Sequence, residues 1–206
     1  MQRQAVIFGN THAKYHPLVP MANGIRETLL ALVEVTAEEN YEKLSLDELS
    51  RFALCIAYFE VEEPLAQEQV QNLLDYVRKG GALLVLHNGI AIQEPPQKAI
   101  FSARFLGHPP YDEMPVLSYT ATQHTITEGI TSFSMPEEAY MFEVESMEKL
   151  SPFLWYDYED ERYPAGWANE YGRGRMVYLA PGHSAEVWKS NTFARLLCNA
   201  VAWAMK

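Results

Sequence analysis

The sequence predicts a three-layer α/β protein built on a doubly wound sheet, mostly parallel with an antiparallel extension. Three observations carry this expectation. The runs 53–59 and 82–86 are short and almost continuously apolar, the composition of strands covered on both faces. Between them, in 67–79, Val70, Leu73, Leu74 and Val77 recur at spacings of three and four, the period of a helix buried along one side. Strand and helix patterns also alternate from the start of the chain, and parallel strands need such crossovers.

The elements follow in order. Residues 5–8 read as a buried first strand closed by Gly9 and Asn10, and 21–32 as a helix whose approach is marked by Pro17 and Pro20. A second strand is expected at 33–36 and a third at 53–59. The helix 67–79 stops at Gly80 and Gly81, and a fourth strand, 82–86, ends at His87, Asn88 and Gly89. Pro95 and Pro96 introduce a helical turn through about Phe105. From 114 to 169 the pattern becomes strand-like and aromatic, as in 152–158, which suggests hairpins extending the sheet. A turn at 172–174 leads into a strand over 175–180, and 187–204 reads as a closing apolar helix.

With 206 residues, 48% hydrophobic and 21% charged, the chain suits one folded domain over 1–206, and no repeat, linker or low-complexity tract divides it. Sixteen Lys and Arg against 27 Asp and Glu give a formal charge of −11, which opposes approach of a polyanion and argues against nucleic acid as a partner. Cys55 and Cys198 lie inside apolar runs without metal-ligand spacing and read as core residues. No segment has the length of a membrane span or the apolar stretch of a leader, so a cytoplasmic location is expected. Exposed aromatic edges are compatible with a homodimer.

Three strand ends carry polar residues in the same relative place: Asn10 and His12, then His87 and Asn88, then His183. If the strands are parallel, these ends share the edge at which open α/β sheets bind ligands. Imidazole moves protons near neutral pH or ligates a metal, so His12, His87 and His183 are candidate ligands for a divalent ion such as zinc, and His87 and His183 candidate acid–base groups. His16 stands four residues after His12, but Pro17 biases it away from helical geometry and against a helical metal pair. Glu137 and Glu138, near Tyr140, can supply a carboxylate to the cleft or form a solvated acidic turn. Trp155, Tyr156, Tyr158, Tyr163 and Trp167 can stack on a sugar or pack a sheet. His124 suits a turn and His108 an ordinary loop. The substrate-contacting set is therefore Asn10, His16, Asn88, Tyr140 and Trp167, with Glu138 added to the catalytic group.

The closing block 172–183, reading GRGRMVYLAPGH, followed by Trp188, Phe193, Leu196, Leu197, Asn199 and the run 202–204, resembles the ThuA-like (trehalose-utilisation) family. Gly80, Gly81 and 83–87 are similar to that family's Gly-Gly, apolar strand and Leu-His signature. His124, Ile126 and Gly129 match its His-Pro-Ile-x-x-Gly segment with Thr125 replacing proline. Glu137, Glu138 and Tyr140 resemble its acidic-x-Tyr element, and 164–167 its Pro-x-x-Trp. Asn88 and Gly89 depart from it, standing where Ser-Ala is more usual.

The resemblance implies a flavodoxin-like, class I glutamine amidotransferase-like fold and a role in the utilisation of trehalose or a related disaccharide, with a sugar-related small molecule as ligand. A true amidotransferase needs a cysteine nucleophile in the turn after strand four, where this chain has His87 and Asn88, and neither Cys55 nor Cys198 is placed to substitute. His183 resembles the amidotransferase histidine, and Glu186 the acid that follows it, although Glu186 equally suits a helix cap. Two readings follow: an enzyme acting on a sugar or keto-sugar, or a non-catalytic binding or regulatory module that kept the cleft and lost the nucleophile.

Overall fold

The computed structural model describes residues 2–60, 65–91, 103–110, 112–144 and 146–206. Among them the chain runs β1 (Arg3–Phe8), α1 (Leu18–Leu29), β2 (Val33–Glu38), α2 (Leu46–Leu49), β3 (Leu54–Ala57), α3 (Gln67–Arg78), β4 (Ala82–Leu86) and β5 (Ala103–Gly107). It continues with β6 (Val116–Ala121), β7 (Phe133–Pro136), β8 (Met141–Val144), α4 (Met147–Leu150), β9 (Leu154–Tyr158), β10 (Glu161–Tyr171), β11 (Gly174–Leu179) and α5 (Asn191–Ala204).

Nine strands form one sheet in the order β2-β1-β3-β4-β11-β10-β9-β6-β7, and β5 pairs with β8 in a second, two-stranded one. The pairs β1–β2, β1–β3, β3–β4 and β4–β11 are parallel. From β11 outward every pairing in the large sheet is antiparallel. This is the flavodoxin-like order, extended by antiparallel strands. The path moves outward from β1 to β2 and then back across β1 to β3. Right-handed crossovers therefore put α1 on one face of the sheet and α2 and α3 on the other. α5 packs beside α1, and α2 beside α3.

Burial follows from these two layers of helix. Every residue of β3 and β4 is buried, whereas β2 at the sheet edge alternates buried and exposed positions along its first half. α1 buries Leu18, Met21, Ala22, Ile25 and Leu29, and α5 buries Phe193, Leu196, Leu197, Ala200, Val201 and Ala204. Each such large aliphatic or aromatic side chain contributes about 1.5–3 kcal/mol relative to exposure.

Several boundaries move. α1 starts at Leu18, so Pro20 lies in its first turn, where the missing N–H has no helical acceptor to lose. The expected helical turn through Phe105 ends instead in strand β5, which pairs antiparallel with β8; its part over 92–102 lies outside the described residues. The closing helix is split. Ala185–Lys189 forms a 3-10 turn, and Ser190 restarts the chain by accepting a hydrogen bond from the Phe193 N–H, 3.1 Å.

Candidate metal centre and cleft

Because β1, β3, β4 and β11 are parallel neighbours, their carboxyl ends share one edge, and four of the residues beyond these ends meet there. His16 arrives from the loop after β1. That loop is shaped by Asn10, whose side chain accepts from the His12 N–H (2.8 Å) and whose carbonyl accepts from the Leu18 N–H (3.0 Å). Glu60 follows β3, His87 follows β4, and His183 follows β11. Glu138 comes from the far end of the sheet, on the segment between β7 and β8.

His87 occupies the sharp turn from β4 into the 3-10 turn His87–Ala91, with φ of 47°, the left-handed region. Two glycines make room for it. A Cβ on Gly89 would lie 2.0 Å from the Ala57 carbonyl oxygen, and one on Gly182 would lie 3.0 Å from Cβ of His87. Strained backbone of this kind persists where surrounding structure holds it, and it aims the imidazole along the sheet edge.

Hydrogen bonds fix which nitrogen His87 and His16 present. His87 Nδ1 donates to the Ala180 carbonyl at 2.7 Å, so Nε2 faces inward, 3.1 Å from Glu138 Oε2. His16 Nδ1 donates to Glu60 Oε2 at 2.5 Å, so its Nε2 faces His183 Nδ1 at 3.2 Å and Glu138 Oε2 at 3.7 Å. His183 Nδ1 lies 3.3 Å from the same Glu138 oxygen. Three ring nitrogens and one carboxylate oxygen thus converge, all within 4.8 Å of one another. Lone pairs pointed at one another repel unless a cation lies between them, either protons or a metal ion.

The spacing fits a metal ion. Zinc bonds of about 2.0–2.2 Å in a tetrahedron separate ligand atoms by about 3.3–3.6 Å. Of the six separations among these four atoms, four are 3.1, 3.2, 3.3 and 3.7 Å, around that range, and all six lie within 4.8 Å. The supporting hydrogen bonds also have the form of a metal site, with a carboxylate behind one imidazole and a backbone carbonyl behind another.

Burial works to raise the Glu138 carboxyl, but hydrogen bonds from His16, His183 and His87 outweigh it and hold the group far below the usual carboxylate range. Burial lowers the His16 imidazole. Burial pulls His183 down as well, but the adjacent Glu138 carboxylate prevails and raises it. Tyr140 stacks on His87 with ring centroids 4.2 Å apart, and burial together with Glu138 pushes its phenol well above its ordinary value. It therefore stays protonated and keeps an O–H to donate.

The cluster opens on a cleft of about 630 Å³ whose walls include Tyr15, Phe59, Glu60, Asn88, Phe105, His108 and Tyr140. Asn88 donates to the Phe59 carbonyl at 2.8 Å, while its buried Oδ1 has no hydrogen-bond partner among the described residues.

Of the residues selected from sequence, His16, His87, His183 and Glu138 are brought together, with Asn88 and Tyr140 beside them. His12 is not; it is exposed on the loop, four residues short of the point where the chain reaches the sheet edge, and His16 takes that place. Asn10 shapes this loop and is absent from the cleft wall. Trp167 is fully buried against Tyr178 (centroids 4.3 Å) and Phe142, so it packs the sheet and cannot stack on a ligand. Glu186 pairs with Lys189 on the surface; the acid beside His183 is Glu138. Glu137 is neither a solvated turn residue nor a ligand but a buried acceptor of backbone N–H groups. His124 caps the turn Thr125–Thr127, accepting from the Ile126 N–H at 3.1 Å. The sequence reading missed Glu60 and His108. His108 is no ordinary loop residue, because its Nε2 lies 3.5 Å from Glu138 Oε1. Glu60 had a usable signal: it directly follows the third apolar run, a strand end like the other three.

Fold and site together define a flavodoxin-like α/β protein with a largely buried three-histidine, one-glutamate cluster at the carboxyl edge of its parallel strands. The chain belongs to the ThuA family, described as trehalose utilisation, whose model matches residues 4–204. It is similar to a ThuA-like protein from Bacteroides uniformis (TM-score 0.75, 18% identity, covering 98% of this chain and 91% of that one). It is also similar to a ThuA-like protein from Parabacteroides merdae (0.77, 14%, 100% and 91%) and to a cytoplasmic protein from Salmonella typhimurium LT2 (0.64, 13%, 98% and 100%). At these identities the likeness concerns the fold alone. No curated protein sequence matches the chain at significant similarity. Among the described residues no helix is long and apolar enough to cross a membrane.

Proposed function

We propose that this chain is a single-domain cytoplasmic enzyme of carbohydrate utilisation that acts on a sugar or keto-sugar, with a divalent ion such as zinc held by His16, His87, His183 and Glu138. The observation that carries this reading is the convergence of three imidazole nitrogens and one carboxylate oxygen within 4.8 Å of one another, at the mouth of a cleft. A bound divalent ion would polarise a carbonyl or acidify a water molecule. The chain's own residues supply the rest. Tyr15, Phe59 and Phe105 offer ring faces and edges to the apolar side of a sugar. Glu60 and Glu138 accept from hydroxyl groups, and the Tyr140 phenol donates to an oxygen that gains charge. Thiol chemistry has no part in it, since Cys55 is fully buried in β3 and His87 stands in the turn where an amidotransferase nucleophile would be.

The same turn favours a second reading, a binding or regulatory module that retains the cleft without turnover. The test is to load purified protein with zinc sulfate, measure metal content, and follow trehalose and an oxidised disaccharide for binding and product. One equivalent of zinc with sugar turnover is expected. Saturable sugar binding without product selects the module, and absence of both metal and sugar binding overturns the proposal.

A further inference from the structure

Glu137 and Glu138 are adjacent in sequence, yet their environments divide them. Glu138 faces the imidazoles. Glu137 turns the other way and is completely buried. Its Oε1 accepts from the Glu138 N–H at 2.9 Å; its Oε2 accepts from the Gly182 N–H at 2.7 Å and the His183 N–H at 3.1 Å. A buried carboxylate is costly unless donors surround it, and here three backbone N–H groups do. The carbonyl side of the same turn is held from elsewhere, because Tyr58 Oη donates to the Gly182 carbonyl at 3.0 Å.

The consequence concerns geometry at the cluster. Glu138 and His183 come from segments far apart in sequence, and Glu137 bonds directly to the backbone of both. Its Oε1 also lies 3.8 Å from Nδ1 of His87. We propose that Glu137 is a positioning residue, a clamp that sets the separation of Glu138 from His183 and so preorganises the metal-binding quartet. This rests on the metal-assisted reading above. Glutamine is the informative replacement. Whichever way its amide turns, the NH2 group meets a backbone N–H: at Glu138 in one orientation, at Gly182 and His183 in the other. Either orientation releases one ligand.

Two measurements test this. In metal-free wild-type protein, the amide protons of Glu138, Gly182 and His183 should exchange slowly; exchange at the rate of an exposed loop overturns the clamp, whether or not the protein binds metal. In the Glu137→Gln variant, zinc affinity by chelator competition should fall about 10- to 100-fold, as when other groups that support metal ligands are removed. The cobalt(II) visible spectrum should change as well, while surface Glu186→Gln leaves both unchanged. Unaltered zinc affinity and cobalt spectrum in Glu137→Gln overturn the inference. Failure of wild-type protein to bind zinc would instead count against the proposed function, with the amide exchange still deciding the clamp.

Discussion

Glu60 Oε2 lies 2.5 Å from Nδ1 of His16 and 2.8 Å from the backbone nitrogen of the same residue. One carboxylate therefore fixes both the loop that carries the imidazole and the direction in which its other nitrogen points.

Glu60→Gln keeps the volume but places an amide where the anionic acceptor stood, and Glu60→Ala removes the support. Zinc affinity should fall about 10-fold or more in both, with alanine the worse, because carboxylates behind ligating histidines set ring orientation and basicity. Chelator competition measures it; equal affinity in wild type and Glu60→Ala would remove Glu60 from the site.

His87 combines a place in the three-histidine, one-glutamate cluster with a left-handed backbone. Asparagine tolerates that conformation better than alanine does, so His87→Ala should be less stable than His87→Asn by about 1 kcal/mol. Both should fail to bind zinc. Urea denaturation of the two variants gives the difference; equal stability would show that the strain at residue 87 costs nothing.

Zinc uptake should depend on pH. Glu138 raises the His183 imidazole above its ordinary value of 6.5, whereas burial lowers His16. In metal-free protein His183 therefore keeps its proton to higher pH, and ligation requires that proton to leave. Affinity should rise with pH through and above 6.5, with proton release on zinc addition in weakly buffered solution. A flat affinity across that interval contradicts the assignment of His183 as a ligand.

Cys55 has no exposed surface, and burial drives its thiol strongly upward; burial raises the thiol of Cys198 as well. Thiolate is the reactive form, so a disulfide reagent should modify Cys55 only on unfolding. Turnover of any substrate should survive Cys55→Ala. Rapid labelling of Cys55 in the folded protein would contradict this packing.

Trp167 belongs to the core. Trp167→Ala should cost about 3–5 kcal/mol of stability, as large-to-small core changes do. Because Trp167 packs against Phe142 and Tyr178 and is not one of the four converging residues, zinc affinity of the folded fraction should be retained. A selective loss of sugar binding without destabilisation would return Trp167 to the cleft.

Much of the parallel half was legible because its signals are local. The apolar runs of β3 and β4, the three-four spacing in α3 and the glycine stop after it each depend on a few neighbouring residues. The same holds for His87 and His183, which end strands visible in the sequence. Less was legible where a side chain's role depends on what lies across the sheet. Glu137 and Glu138 are identical in type and neighbours in sequence, and nothing local distinguishes the buried clamp from the residue facing the imidazoles. His12 and His16 likewise differ only in how far the loop has travelled before Pro17 starts α1.

The sequence by itself determined the doubly wound α/β class, the family, and the presence of histidines at the carboxyl edge, because periodicity and turn chemistry are properties of short segments. Only the tertiary structure decided that His16 rather than His12 joins the cluster, that Glu60 stands behind it, and that Trp167 is core. Those outcomes depend on distances between segments far apart along the chain, and such distances are set by the packing of the whole sheet.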